Sequence, residues 1–176
     1  MQSASPPRWG SKLNAAGQAK AHTLLLGLGS NIAPEENLPR ALRFLRQSLQ
    51  IQAVSSVWET PPVGGEGPNF LNAVARVGVD LPAKVLRTQV LHPLESRLGR
   101  VRTDDPNAPR PIDLDILIFD GKVLEPEIWV QSHWAIPLAE LLPDFPHPLT
   151  SETLARIARR LAGVTPIRRC PWDLLG

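Results

Sequence analysis

Apolar positions along the chain follow two rhythms, short continuous runs and stripes at helical spacing. Residues 23–28 form a continuous apolar run of the kind found in a strand buried on both faces, and Gly27-Leu28-Gly29-Ser30-Asn31 reads as a tight turn out of it. Leu38, Ala41, Leu42 and Leu45 then repeat at helical spacing, which predicts a helix packed on a sheet. Residues 51–58 alternate loosely and predict a second strand, ended by Thr60-Pro61-Pro62 because two prolines stiffen the chain. Gly64, Gly65 and Gly67 make the next stretch a mobile loop, and residues 69–77 return as a strand with Phe70 and Asn72 on one face. Leu81-Pro82 opens a helix whose stripe of Val85, Leu86, Val90, Leu94 and Leu98 faces the core. Pro93 within it predicts a kink near His92 or a division into two helices, since proline removes a helical hydrogen bond. After an apolar strand that includes residues 114–119, Asp120-Gly121 signals a hairpin turn, so residues 122–130 are expected to run back antiparallel. A short apolar helix over 134–142, a closing helix over 153–161 capped by Thr150 or Ser151, and an apolar tail from Cys170 docked on the body complete the chain.

One stretch breaks the rule that buried strands are apolar. In Arg110-Pro111-Ile112-Asp113-Leu114-Asp115-Ile116-Leu117 the two acids are two residues apart, so both side chains leave the same face of the strand. Neighbouring carboxylates on a core strand repel and are costly to desolvate, unless a cation lies between them or one stays protonated. A hard divalent metal fits: magnesium takes one or two carboxylates and fills its remaining positions with water and substrate phosphate. Arg100, Arg102 and Arg110 lie just upstream, and a guanidinium suits phosphate oxygens. Acids for metal and arginines for an anion make a nucleotide and metal site; the alternative is a solvated strand end with surface arginines. The Gly-x-Gly at Gly27 and Gly29 is a weaker signal, lacking both the third glycine of a dinucleotide fingerprint and the Gly-Lys-Ser/Thr of a P-loop. Phe70 and Asn72 offer a ring to stack and an amide to pair with the edge of a flat heterocycle, or else a core aromatic and a turn-stabilising amide.

Composition narrows the classes. A chain of 176 residues, 43% apolar and 20% charged, has the balance of one globular domain. Nineteen basic against 17 acidic residues leave a net charge of +2, too small to argue for nucleic acid, and no apolar run is long enough to span a bilayer. The single Cys170 excludes an intrachain disulfide and favours a reducing cytoplasm. Residues 1–22 lack the apolar middle of a secretory signal and are read as a flexible N-terminal extension to a domain over 23–176.

Five blocks, taken in order and at their spacing, resemble one family: Leu28-Gly29-Ser30-Asn31, Ser56-Val57-Trp58-Glu59-Thr60-Pro61-Pro62, Phe70-Leu71-Asn72-Ala73, Leu98-Gly99-Arg100-Val101-Arg102, and Pro109-Arg110 running into the acidic strand. The chain is similar over about residues 23–161 to the 6-hydroxymethyl-7,8-dihydropterin pyrophosphokinases of the folate pathway. The resemblance implies a ferredoxin-like α+β fold, a mainly antiparallel sheet with flanking helices. It implies transfer of pyrophosphate from ATP to the pterin hydroxymethyl group, leaving AMP. Carried over residue by residue, Asp113 and Asp115 would hold two Mg2+ ions with ATP, and Arg100 and Arg110 would grip its phosphates with help from Arg102. His92, Glu95 and Ile116 would approach the nucleotide, while Thr60, Pro61, Pro62, Val63, Phe70 and Asn72 would form the pterin pocket. The segment after the return strand is shorter than the family pattern: in ungapped register from Pro137, Gln131 stands where an ATP-contacting arginine is expected and His133 where a ring stacks on the pterin, with Trp134 beside it.

Two functions follow. The intact acids and Arg110 favour a pyrophosphokinase whose partners are ATP and a hydroxymethyl pterin, with neither nucleic acid nor membrane. The shortened segment favours a non-catalytic or substrate-shifted pterin and nucleotide-binding relative.

Overall fold

A computed structural model describes residues 21–64, 66–101 and 108–174. Seven strands form one sheet, every pair antiparallel, in the order β6-β5-β1-β4-β3-β7, with β2 also on β4. The strands are β1 (His22–Ser30), β2 (Gln50–Val54), β3 (Trp58–Thr60), β4 (Phe70–Val79), β5 (Asp113–Phe119), β6 (Lys122–Val123) and β7 (Arg168–Arg169). His22, assigned to the extension by sequence, instead opens β1 opposite Val79, and residues 1–20 lie outside the described part.

The central strands β1, β4 and β5 are buried on both faces, which is why their sequences run apolar without strict alternation. One face carries α1 (Pro34–Ser48) and the helix that begins after Pro82. On the other lie α4 (Ser132–Leu141) and α5 (Leu154–Ala162), over Leu25, Val74, Leu117 and Ile118. Register between β1 and β5 slips at Leu25/Leu26, so Leu117 is an extra residue and both Leu117 and Ile118 join that second core. Upstream of the slip, Leu114 and Ile116 face the first core while Asp113 and Asp115 face the α4 side.

Several expectations need correction. The strand expected over 51–58 is two strands, because Ser55 donates its backbone N–H to the Val74 carbonyl but accepts the Val74 N–H on its hydroxyl instead of its carbonyl, both at 2.9 Å. The helix after Pro82 is irregular just before His92, as expected, but through a π turn and not through a break into two separate helices. It passes from α2 (Ala83–Leu86) through a π turn (Arg87–Leu91) into α3 (His92–Arg97), and the widened turn accommodates Pro93, which has no N–H to return to the preceding turn. The return strand stops at Val123: the turn forms as expected, with Asp120 and Gly121 both at positive φ, but Pro126 cannot donate to a ladder and starts a 3-10 turn (Pro126–Trp129). Neither Thr150 nor Ser151 caps α5, which begins at Leu154 with Thr153 at its N-cap and no side-chain capping bond. The apolar tail docks as expected, with Leu174 buried and Cys170 and Trp172 packed on the first core.

Candidate active site

On the α4 side of the sheet a cavity of about 340 Å³ opens between β1, β3, β4, β5 and the start of α4. Its floor is Gly29, directly opposite Asp113 on one neighbouring strand and Asn72 on the other. A Cβ placed on Gly29 would lie 3.0 Å from Asn72 Oδ1 and 3.9 Å from the Phe70 ring. Gly27, one pleat further along, faces Asp115 and lies under the Trp134 indole, where an added Cβ would come within 2.5 Å of the ring. Both glycines are therefore inside a strand, not in the turn the sequence suggested; the missing side chains make room for the floor of a pocket and for a tryptophan.

One wall holds the residues expected to receive a flat heterocycle. Thr60, Pro61, Pro62, Val63, Phe70 and Asn72 all line the cavity, with His133 and Trp134 from α4. Asn72 is 2% exposed and donates its amide to the Thr60 hydroxyl at 2.9 Å, which fixes the amide orientation and leaves its oxygen toward Gly29. Burial pushes the His133 imidazole down to about 4, although nearby Asp113 works in the opposite direction, so the ring is neutral at ordinary pH. It contacts Trp134 at a centroid distance of 4.8 Å.

The opposite end is charged. Asp113 accepts from Arg110 at 2.7 Å on one oxygen and from Arg100 on the other. Arg100 also pairs with Glu95, whose carboxylate is 2% exposed and accepts the Leu114 backbone N–H at 2.9 Å. Asp115 has its carboxyl pushed up to about 6 by burial first, then by the negative charges of Asp113 and Glu95. Two acids of one strand thus share a partly enclosed site, with the positive charge drawn to the first. That donor set fits a hard divalent cation completed by water and phosphate, and among the described residues there is no group of three or more His, Cys, Asp or Glu of the kind that closes a structural metal site.

Four of the residues carried over for the nucleotide lie away from the cavity wall. Arg100 reaches the site through Asp113, and Glu95 stands behind Arg100 and β5 as a brace. Ile116 is 1% exposed in the first core, and His92 lies at the start of α3. Arg102 lies outside the described residues. Sequence reasoning missed the work done by Ser30 and Asn31: the Ser30 hydroxyl donates to the Pro111 carbonyl at 2.7 Å, and Asn31 accepts the Arg110 N–H at 2.7 Å while its own N–H donates to the Arg110 carbonyl at 3.1 Å. The Leu28-Gly29-Ser30-Asn31 block was the signal, and its polar pair anchors the arginine beside the acids. Glu125, Glu127 and Gln131 at the cavity mouth were also unassigned, apart from Gln131 as an arginine replacement.

An apolar, ring-sized wall facing an end of paired acids and arginines has the makings of a group-transfer site on an antiparallel α+β sheet. Residues 25–143 match the family described as 7,8-dihydro-6-hydroxymethylpterin-pyrophosphokinase, and the chain belongs to it. It is 35% identical to the 2-amino-4-hydroxy-6-hydroxymethyldihydropteridine pyrophosphokinase of Pseudomonas aeruginosa, over 70% of this chain and 82% of that protein. With the Haemophilus influenzae protein of the same name it shares 29% identity over 85% and 99% of the two chains. A Plasmodium falciparum HPPK-DHPS structure superposes with a TM-score of 0.67 at 12% identity, covering 82% of this chain; the fold is the same, and the chain spans 46% of that longer one. Family and relatives together make this protein an ATP-dependent pyrophosphokinase of folate biosynthesis. Among the described residues no helix is long and apolar enough to cross a membrane.

Proposed function

We propose that the cavity binds 6-hydroxymethyl-7,8-dihydropterin against Phe70, Asn72, Thr60 and His133, and that ATP enters with Mg2+ over Asp113 and Asp115. The observation that carries this reading is that the heterocycle wall and the two acids open onto one cavity with Gly29 between them. The pterin hydroxyl oxygen would attack the β-phosphorus of ATP, the bond from that phosphorus to the α,β-bridging oxygen would break to release AMP, and the hydroxyl proton would pass to a base, a part given to Asp113 by analogy with the family. Bound Mg2+ would supply charge neutralisation at the phosphate oxygens. Asp113 and Asp115 hold that charge in place, Arg110 and Arg100 exchange Asp113 for phosphate oxygens, and Asn72 and Phe70 orient the ring so that its hydroxymethyl group faces the acids. Because positioning and electrostatics do most of the work in such transfers, residues that only orient are as consequential as those that touch the reacting atoms. The substrate ATP and the unpaired Cys170 fit a reducing cytoplasm.

Incubation with ATP, magnesium and the hydroxymethyl pterin is expected to give AMP and the pterin diphosphate in equal amounts. Folded protein that forms no AMP above blank at saturating substrates would leave the pterin and nucleotide surfaces as a binding module.

A further inference from the structure

The pterin wall at Pro61, Pro62 and Val63 belongs to the connection from β3 to β4, and the last three residues of the chain before it are the whole of β3. Both ends of that connection meet on one carboxylate. Glu59 accepts the Asn69 side-chain amide at 3.0 Å on one oxygen and the Arg168 Nε–H at 3.0 Å on the other. Those two hydrogen bonds, the Asn69 one foremost, hold the Glu59 carboxyl below the usual carboxylate range. Arg168 lies on β7, directly opposite Glu59 in the ladder, and Cys170 donates its N–H to the Val57 carbonyl at 2.8 Å. Arg169 adds a bond to the Ser56 hydroxyl at 2.8 Å, and the far end of this strap is fixed by Leu174 in the core. Glu59 itself does not line the cavity, but the next residue, Thr60, does.

The prolines set the direction in which the connection leaves β3, and Gly64 and Gly67 both take the positive φ that glycine accepts without strain. Where the wall rests is then decided by what holds its two ends. β3 is too short to resist rotation alone, and its outer edge is covered by β7. The Arg168 side chain is 77% exposed, so its pair with Glu59 adds little to global stability, and its consequence is local.

We propose that the C-terminal strap is part of the pterin site: Arg168 acts as a positioning residue, holding Glu59 so that Glu59 clasps Asn69 and sets the place of the Pro61–Pro62–Val63 wall. This inference rests on the pterin reading given above. Its test uses the full chain with magnesium and a non-hydrolysable ATP analogue, titrated with 6-hydroxymethylpterin, alongside thermal unfolding and nucleotide binding without pterin. Arg168→Ala is expected to weaken pterin binding roughly three- to tenfold, with nucleotide affinity unchanged and Tm within about 2 °C of the parent, and Arg168→Lys to recover most of the loss. Glu59→Gln, which keeps an acceptor for Asn69 but loses the charge, should fall between the parent and Arg168→Ala. Unchanged pterin affinity in Arg168→Ala overturns the inference. So does a parallel loss of pterin binding, nucleotide binding and Tm, which would mark a purely structural strap. A parent protein that binds the nucleotide analogue but no pterin refutes the pterin reading itself, and does so before any substitution is made.

Discussion

Gly27 lies beneath the indole of Trp134, so close that a Cβ on the glycine would stand 2.5 Å from the ring carbon Cζ3. The two residues are far apart in sequence, and neither explains itself alone. Trp134 is 7% exposed and packs with Leu25 and Val74 while also lining the cavity, and Gly27 faces Asp115 across the ladder. The indole therefore roofs the strand position next to the second acid, and it can do so only because β1 has no side chain there.

Gly27→Ala is accordingly expected to destabilise the protein by about 1–3 kcal/mol, the usual range for overfilling a packed site, and to weaken pterin binding by tilting the indole into the cavity. Urea unfolding gives the first quantity and pterin titration the second. In a double-mutant cycle, Trp134→Phe should absorb a large part of the alanine penalty, since the smaller ring leaves room for a methyl group. Additive penalties would separate the two residues.

Asp115→Asn should abolish turnover while changing stability in a pH-dependent way. The Asp115 carboxyl is raised to about 6 in the folded chain against 3.8 for the free group, so between those values the native state holds a proton that the unfolded state has released. The parent therefore loses stability from this group as pH rises through about 4 to 6, and the loss is complete above 6. The asparagine variant escapes it. Its Tm relative to the parent is expected to be higher at pH 7.5 than at pH 4, measured without metal, with AMP formation absent at both. A Tm difference that does not change with pH would mean Asp115 carries no unbalanced charge.

Much of this site was legible in the residues, and the reasons differ by element. The acidic strand announced itself because carboxylates in an apolar run need a cause, and the hairpin after it because Asp120-Gly121 accepts positive φ at both positions. The pairing of Phe70 with Asn72 followed from strand alternation, and both line the cavity. What was not legible depends on partners distant in sequence. Gly27 and Gly29 look like turn glycines until β4, β5 and α4 are placed around them. Ser30 and Asn31 hold the Arg110–Pro111 backbone some 80 positions later, a relation that no local pattern encodes. The two-residue strand β7 is too short to show any periodicity, and Glu125 and Glu127 reach the cavity mouth only because Pro126 turns the chain away from the sheet.

Glu95 separates a nucleotide contact from a brace. Its carboxylate is buried, bonded to Arg100 and to the Leu114 N–H, so removing it takes away one of the two acids that hold Arg100 and leaves a buried backbone donor without this acceptor. Glu95→Ala is expected to cost on the order of 3 kcal/mol in denaturant unfolding and to raise the KM for ATP through the displaced Arg100. A variant as stable as the parent with a raised KM for ATP would restore the direct contact inferred from sequence.

His133 stands where a stacking ring is expected, and its chemistry gives two separable signatures. With its imidazole lowered to about 4 by burial, it stays neutral through the physiological range, so pterin affinity should show no inflection attributable to it between about pH 5.5 and 8. The unfolded chain protonates its histidines near 6.5, so acidification from about 6.5 to 4 draws protons to the unfolded state, and the stability this residue contributes above 6.5 is lost progressively across that interval. His133→Phe removes that loss and should hold its Tm better than the parent on going from pH 7 to 4.5, while keeping a flat face for the pterin. His133→Ala shares the acid resistance but not the face, and should weaken pterin binding roughly three- to tenfold with nucleotide affinity unchanged. Comparing the two variants by pterin titration and by pH-dependent unfolding isolates stacking from charge; equal pterin affinities in the parent, phenylalanine and alanine forms would remove His133 from the wall.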